Sequence, residues 1–174
     1  MLFNSTQYAI FFPIVVAIYF AIPQRTRWAF LLVASYYFYM CWKPGYVALI
    51  AFSTLVDYVA GILMESAQSK RLKLRYLILS LCSNLGMLFF FKYYNFFNDT
   101  LRAVTSALDI GISLPATHFL LPVGLSFYTF QSLTYTIGVY RGELRAERHL
   151  GVFAAYVCFF PQLVAGPIER AKNL

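Results

Sequence analysis

The chain has 174 residues, of which 60% are hydrophobic and only 12% are charged, whereas soluble domains have roughly 45–50% apolar and about 25% charged residues. A soluble fold of this length has too little interior to bury so many Phe, Tyr and Leu side chains, so the composition excludes an ordinary soluble domain and predicts that the lipid bilayer is a partner. The formal net charge is +7, but the Lys and Arg residues lie between apolar runs and form no continuous patch, which argues against a nucleic acid partner.

Six apolar segments follow one another along the chain. They are Tyr8–Ile22, Trp28–Trp42, Tyr46–Met64, Tyr76–Phe91, Phe119–Tyr140 and Leu150–Ile168. They predict an all-α, polytopic bundle of transmembrane helices that forms a single membrane domain over residues 1–174. The shortest segments are below the roughly 20 residues that span a bilayer, so we expect flanking residues or a locally thinner bilayer to complete them.

The basic residues between these segments predict an orientation. If the segments alternate across the membrane, nine Lys and Arg residues lie in the connections on one side and five on the other. The positive-inside rule then places residues 68–75 in the cytoplasm and the N-terminus outside. The long exterior connection Lys92–His118 has apolar residues at close to helical spacing, which predicts an interfacial amphipathic helix.

The fifth segment has one polar face. On a helical projection, the residues that share this face are Gly124, Tyr128, Gln131, Tyr135, Gly138 and Gly142. A neighbouring polar stripe consists of Ser126, Thr129, Ser132 and Thr136. The opposite, apolar side carries Val123, Phe127, Phe130 and Ile137. Two interpretations of the polar face stay open. Small and hydroxylated residues allow close helix packing in membranes. Alternatively, Tyr128 and Gln131, with Arg141 at the end of the segment, line a polar cavity.

The sixth segment carries helix-breaking residues at the depth of the membrane. Pro161 and Pro167 donate no backbone hydrogen bond, and each disfavours helix at the residue before it. Because broken backbone is tolerated at this depth only inside protein or beside water, we expect a segment that is broken by prolines and turned into the bundle. Its candidate cavity-lining residues are Pro161, Gln162, Gly166, Pro167, Glu169 and Arg170. The alternative is one helix that kinks at Pro161 and leaves the membrane before Pro167.

Asp57 is an ionisable residue inside the third segment, which makes it a further candidate for the cavity. Two other interpretations are pairing with an Arg of another helix and exposure to an aqueous vestibule. His118 and His149 lie at segment ends without acidic or Cys neighbours at ligand spacing, so no metal site is predicted. The three isolated cysteines are typical of small buried apolar side chains rather than disulfides.

Two stretches resemble a known family. "LPVGLSFYTFQSLTYTIGVYRG" and "FFPQLVAGPIERA" are similar to the membrane-bound O-acyltransferase (MBOAT) family, in the branch of the alginate O-acetyltransferase membrane subunit and the D-alanyl transfer protein of teichoic acid modification. "FSTLVDYVAG" around Asp57 and the opening "LFNSTQYAIFFP" are similar to that branch too. Gly138 stands where the branch commonly has an acidic residue before V-Y-R-G.

The resemblance implies a function for a longer protein of which this chain is the N-terminal part. The implied enzyme is an O-acyltransferase of the bacterial inner (plasma) membrane that moves an acyl group, acetyl in this branch, to a hydroxyl of an exported polysaccharide. It implies no bound cofactor, an acyl thioester such as acetyl-CoA as the donor, and an exterior acyltransferase partner protein. The implied catalytic histidine lies beyond Leu174, so neither His118 nor His149 receives that role and the fragment alone is expected to be inactive.

Two functions from other classes remain open. A small transporter or flippase subunit would use the broken segment and Asp57 as its site, although no repeated half is visible in the sequence. A non-catalytic membrane scaffold would need neither.

Overall fold

The computed structural model describes residues 5–41, 44–107 and 124–165. Within these ranges the secondary structure is helical and contains no strand, which confirms the predicted all-α class. The seven helices are α1 (Thr6–Ala21), α2 (Arg27–Met40), α3 (Tyr46–Ser66), α4 (Lys70–Ala107), α5 (Leu125–Arg141), α6 (Leu150–Val157) and α7 (Phe160–Ala165), with a 3₁₀ turn at Gln24–Thr26.

Local sequence signals set several helix ends. The Ser5 side chain caps α1 by accepting a hydrogen bond from the Tyr8 N–H at 3.2 Å. The helix ends before Pro23, because the preceding residue Ile22 takes an extended conformation. Gly142 ends α5 in the left-handed region, with φ 76°, which a glycine adopts without strain.

The fourth helix is much longer than the predicted segment Tyr76–Phe91. It starts at Lys70, where the Ser69 hydroxyl accepts from the Leu72 N–H, and continues to Ala107 over 38 residues. At 1.5 Å per residue this is about 57 Å, nearly twice the roughly 30 Å hydrocarbon core. The helix predicted in the connection Lys92–His118 is thus present over residues 92–107, but it continues α4 without a Gly or Pro to end it. Its interfacial position stays a prediction. Residues 108–118 lie outside the described ranges.

Side-chain pairs establish the relative directions of the helices. Ser53 bonds to Asn84 and Ser80 bonds to Asp57, so α3 and α4 run antiparallel. Gly61 of α3 lies against the Tyr135 ring of α5, while Ser132 adjoins Asp57 one turn earlier on each helix, so α3 and α5 run parallel. Tyr8, near the start of α1, contacts Phe38 near the end of α2, and Tyr19, near the end of α1, contacts Arg27 at the start of α2. The helices α1 and α2 are therefore also antiparallel.

The main core lies among α3, α4, α5 and α6, around fully buried residues such as Ile50, Tyr128 and Phe153. The outward faces are apolar, as the 47% exposed Phe130 illustrates. In the part of the chain that the structure describes, two helical stretches are long and apolar enough to cross a membrane, Tyr46–Ser66 and Lys70–Tyr94. Shorter apolar helices lie at Thr6–Ala21 and Leu150–Gln162. The number of six membrane segments stays a prediction.

Candidate functional site

The predicted polar face of α5 is turned into the bundle. Tyr128, Gln131 and Tyr135 are 0%, 4% and 1% exposed, whereas Phe127 and Phe130 on the opposite face are 41% and 47% exposed. The Tyr128 hydroxyl lies 3.4 Å from the Met87 sulfur of α4. The division into an inner polar and an outer apolar face is therefore confirmed for these residues.

Part of this face serves close packing. An added Cβ at Gly61 of α3 would lie 2.7 Å from the Tyr135 hydroxyl, so the absence of a side chain at Gly61 admits the Tyr135 ring. The same hydroxyl accepts a hydrogen bond from the Glu147 N–H at 3.1 Å. Tyr135 therefore joins α3, α5 and the loop before α6, as the packing interpretation expects.

The interruption between α6 and α7 is sealed by side chains of two other helices. In a continuous helix the Phe160 N–H would donate to the Tyr156 carbonyl four residues earlier. Instead the Phe160 N–H donates to the Ser35 hydroxyl of α2 at 3.3 Å, and the Tyr156 carbonyl accepts from Gln131 Nε2 of α5 at 2.8 Å. Both freed backbone groups thus have protein partners, which is the condition for broken backbone at membrane depth.

Pro161 and Gln162 lie immediately after this interruption. Pro161 occupies the second position of α7, in the first turn, where a missing N–H is tolerated, and it cannot donate to Val157, at which α6 ends. Gln162 Oε1 accepts a second hydrogen bond from Gln131 Nε2 at 3.0 Å. The structure thus brings the predicted residues Gln131 and Gln162 together. Prolines as the cause of the break stay a prediction.

The opposite side of the interruption is apolar. Phe159, Phe160 and Pro161 line a groove of about 340 Å³ with residues of α1 and α2. These are Phe12, Val15, Val16, Tyr19, Phe20 and Leu31. The interruption therefore has a polar side toward α5 and an apolar side toward α1 and α2.

Asp57 is the centre of a buried polar cluster between α3 and α4. The carboxylate is 0% exposed and accepts from the Ser80 hydroxyl at 2.6 Å and from Asn84 Nδ2 at 2.8 and 3.0 Å. The Ser53 hydroxyl donates to Asn84 Oδ1 at 2.6 Å. Ser132 of α5 adjoins the carboxylate without a well-aligned hydrogen bond. The Arg partner that one interpretation expected is not found within the described residues, where the donors to Asp57 are neutral.

Sequence reasoning singled out Asp57 but missed its partners. Ser53 and Asp57, like Ser80 and Asn84, are four residues apart, so each pair faces one side of its helix. Such i, i+4 polar pairs in two consecutive apolar segments are the signal that could have predicted the contact. Ser35, which also was not predicted, is a lone serine and carries no comparable pattern.

Arg141 lies apart from these groups, at the end of α5. Its guanidinium is 3.8 Å from Glu143, and the two side chains are 65% and 53% exposed. Arg148 forms a closer ion pair with Glu65 at 2.7 Å. Both ion pairs lie at the end of the bundle where α3 and α5 finish.

The basic connections gather at this same end. A pocket of about 350 Å³ there is lined by Ala67, Gln68, Lys70, Lys73 and Tyr140. The edge-to-face contact of Trp28 and His149, with ring centroids 4.5 Å apart, joins the starts of α2 and α6 at the same level.

His149 has a structural role in the loop before α6. Its Nδ1 accepts from the Val152 N–H at 3.2 Å and so caps the helix. Within the described residues, no group of three His, Cys, Asp or Glu side chains could hold a metal ion. All three cysteines are free, and Cys158 is buried while Cys41 and Cys82 are exposed, so the expectation of buried thiols holds only for Cys158.

Several predicted site residues cannot be compared with this geometry. Gly166, Pro167, Glu169, Arg170 and His118 lie outside the described residues. The assignment of the first four to a cavity stays a prediction.

Comparison with known proteins identifies relatives along the whole chain. A probable alginate O-acetylase AlgI of Pseudomonas putida is 42% identical over 176 residues, covering 100% of this chain and 36% of the relative. A probable alginate O-acetylase AlgI of Pseudomonas aeruginosa is 39% identical, covering 100% of this chain and 34% of the relative. A peptidoglycan O-acetyltransferase of Helicobacter pylori is 28% identical over 83% of this chain and 31% of the relative.

The chain spans about a third of the length of these curated relatives. No family model and no solved structure matches the chain. The relatives confirm the resemblance that the two long motifs indicated, because an alignment at 42% identity covers the whole chain, including both motifs and the apolar segments before them. The chain belongs to the membrane-bound O-acyltransferase family, in the branch of the alginate O-acetylases.

Proposed function

We propose that this chain forms the N-terminal part of a membrane O-acyltransferase that acetylates a hydroxyl of an exported polysaccharide. In the proposed reaction the donor is an acyl thioester such as acetyl-CoA. The C–S bond of the thioester breaks, a C–O bond to the polysaccharide hydroxyl forms, and the thiol leaves with the hydroxyl proton. The names of the alginate and peptidoglycan relatives support this substrate class.

The sealed interruption between α6 and α7 is the observation that carries the proposal. The interruption places non-helical backbone inside the bundle. Gln131 of α5 donates to its Tyr156 carbonyl, and Ser35 of α2 accepts from its Phe160 N–H. Protected, preorganised polar groups are what an acyl-transfer site needs, because they act most strongly where water is excluded. In the proposal, α5 and the α6–α7 interruption form one wall of the reaction chamber, and the catalytic histidine comes from outside these 174 residues.

The proposed orientation places the basic end of the bundle in the cytoplasm of a bacterial inner membrane. That end carries the 65–75 and 141–148 connections, which the Arg148–Glu65 ion pair brings together. The rule that cytoplasmic loops are rich in Lys and Arg supports this direction. The thioester donor would then approach from this side, and the N-terminus, the polysaccharide and an exterior partner protein would lie on the other.

Complementation tests the activity. A strain that lacks its own polysaccharide O-acetylation gene would receive either the full-length protein or residues 1–174, and ester-linked acetate on the exported polysaccharide would be measured. We expect acetate with the full-length protein and none with residues 1–174. Acetylation by residues 1–174 alone would refute the inactivity of the fragment. If well-expressed full-length protein added no acetate to the polysaccharide, the proposed transferase activity would be refuted.

Cysteine labelling tests the orientation. In full-length protein without its native cysteines, Gln68→Cys marks the basic end and Ser5→Cys marks the opposite end. A membrane-impermeant thiol reagent applied to intact spheroplasts should label Ser5→Cys and spare Gln68→Cys until the membrane is opened. The reverse pattern would overturn the orientation without affecting the proposed chemistry.

A further inference from the structure

Asp57 presents an electrostatic problem that its hydrogen bonds leave unsolved. The carboxylate is fully buried in a helix that is long and apolar enough to cross a membrane. Its donors Ser80 and Asn84 are neutral, and the ion pairs of the described residues involve other carboxylates. A buried carboxylate without a countercharge is strongly unfavourable in an apolar medium.

Three buried hydroxyl groups of the same helices present a second problem. The side-chain oxygens of Thr54 and Thr129 have no hydrogen-bond partner within the described part of the chain, and that of Ser132 makes only a poorly aligned contact with Asp57. These residues are 2%, 1% and 0% exposed. Since buried polar groups are nearly always satisfied, each unsatisfied one calls for an occupant that could bind it.

The hydroxyls lie where α3 and α5 face each other. Ser132 adjoins the Asp57 carboxylate, and Thr129 lies about one turn before Ser132. Thr54 lies about one turn before Asp57 and two turns before Gly61, whose Cα packs against α5. Because α3 and α5 run parallel, Thr54 and Thr129 lie at the same level of the bundle, one turn from the carboxylate.

Different occupants solve these two problems to different extents. Water would satisfy the hydroxyls but would leave the negative charge. A proton on the carboxylate would remove the charge but would leave Thr54 and Thr129 without partners. A small cation would do both, because hard cations take carboxylate and hydroxyl oxygens as ligands.

We propose that Asp57, Ser132, Thr129 and Thr54 bind a monovalent cation of the Na⁺ class between α3 and α5. One carboxylate balances one positive charge, which favours a monovalent over a divalent ion. The donors from α4 occupy one side of the carboxylate, so the ion lies on the side toward α5. In transporters, discontinuous helices hold Na⁺ at membrane depth largely through unwound backbone carbonyls. Here side-chain oxygens would hold the ion, which would join α3 to α5 and stabilise the bundle.

Thermal unfolding of the purified full-length protein tests the site, with NaCl against choline chloride at equal ionic strength. At a Na⁺ concentration 100-fold above its Kd, we expect a rise in the unfolding midpoint of roughly 3 °C or more. Asp57→Asn should abolish the rise, and Ser132→Ala should increase the half-saturating Na⁺ concentration about tenfold, the effect of losing roughly one hydrogen-bond-strength contact. Thr134→Ala is the matched control on α5, because that hydroxyl donates to Phe130 of its own helix.

The following results would contradict the proposal. A wild-type midpoint that is equal in NaCl and choline chloride excludes the site, and a rise that survives in Asp57→Asn places the ion elsewhere. Stabilisation by acid without stabilisation by Na⁺ means that a proton neutralises Asp57. If Asp57→Asn does not fold, binding of radioactive Na⁺ to the wild type and to Ser132→Ala decides, and equal binding by both refutes the site.

Discussion

The bond from Gln131 to the helix interruption can be tested by Gln131→Leu. Leucine has a similar size but no donor, so the Tyr156 carbonyl and Gln162 Oε1 lose the amide that bonds to them at 2.8 and 3.0 Å. Hydrogen bonds between membrane helices contribute about 0.6–2 kcal/mol each, and this substitution removes two of them. We therefore expect local opening of the interruption to become easier by about 2 kcal/mol, or roughly 30-fold.

Cys158 reports this opening directly. It is a free thiol, 1% exposed, one residue after the end of α6. In a background in which Cys41 and Cys82 are replaced by alanine, the rate of maleimide modification at Cys158 measures the population of the open form, provided that opening and closing are fast. Gln131→Leu should raise this rate about 30-fold. Peptide mapping by mass spectrometry assigns the modification to Cys158.

Thr134→Ala provides the control, since it lies on the same helix and removes a hydroxyl that bonds within α5. It should leave the rate at Cys158 unchanged. A rate for Gln131→Leu within about threefold of the wild type would mean that less than about 0.7 kcal/mol is lost. The Gln131 amide would then not hold the interruption closed, and the reasoning that α5 seals α7 into the bundle would be wrong.

Three further substitutions separate the contributions of packing, charge and hydrogen bonding, each measured as the thermal unfolding midpoint in detergent. Gly151→Ala should destabilise by about 1–3 kcal/mol, because any Cβ there overlaps the Trp28 ring, and Trp28→Leu in the same chain should restore much of the loss. Arg148→Gln should change stability by no more than about 1 kcal/mol, since the Arg148 side chain is 69% exposed; a larger loss would mean that its ion pair with Glu65 is shielded from solvent. Ser35→Ala should cost about 1–3 kcal/mol by leaving the first N–H of α7 without its acceptor, and a neutral result would contradict that bond.

The class of fold could be predicted from the sequence because it follows from composition and from apolar runs. The first and fifth apolar segments end within one residue of their helices, at Ile22 against Ala21 and at Tyr140 against Arg141. Gly142, which the helical projection placed on the polar face, instead ends α5. The length of α4 was not predicted, because hydropathy marks where a chain leaves the membrane and not where its helix stops. Lys92 and the residues after it are polar enough to end a span but remain good helix formers.

The candidate site was predicted only in part, for a related reason. Periodicity assigns residues to a face, so the inward position of Gln131 could be predicted from α5 alone. Periodicity does not give the partner, and the acceptors of Gln131 come from a helix that starts 19 residues later at Leu150 and from α7. The Ser35–Phe160 bond joins residues 125 positions apart, and no local pattern predicts a contact of that separation.

The hydrogen bonds of Gln131 also bear on where the chemistry of the full-length protein takes place. An amide nitrogen has two hydrogens, and at Gln131 the Tyr156 carbonyl and the Gln162 side chain accept both. Gln131 can therefore donate to a substrate only by giving up one of these two hydrogen bonds, each worth about 0.6–2 kcal/mol between membrane helices. Its expected role is to position the interrupted segment rather than to bind the acyl group. This positioning role agrees with the proposal that the catalytic histidine comes from outside these 174 residues.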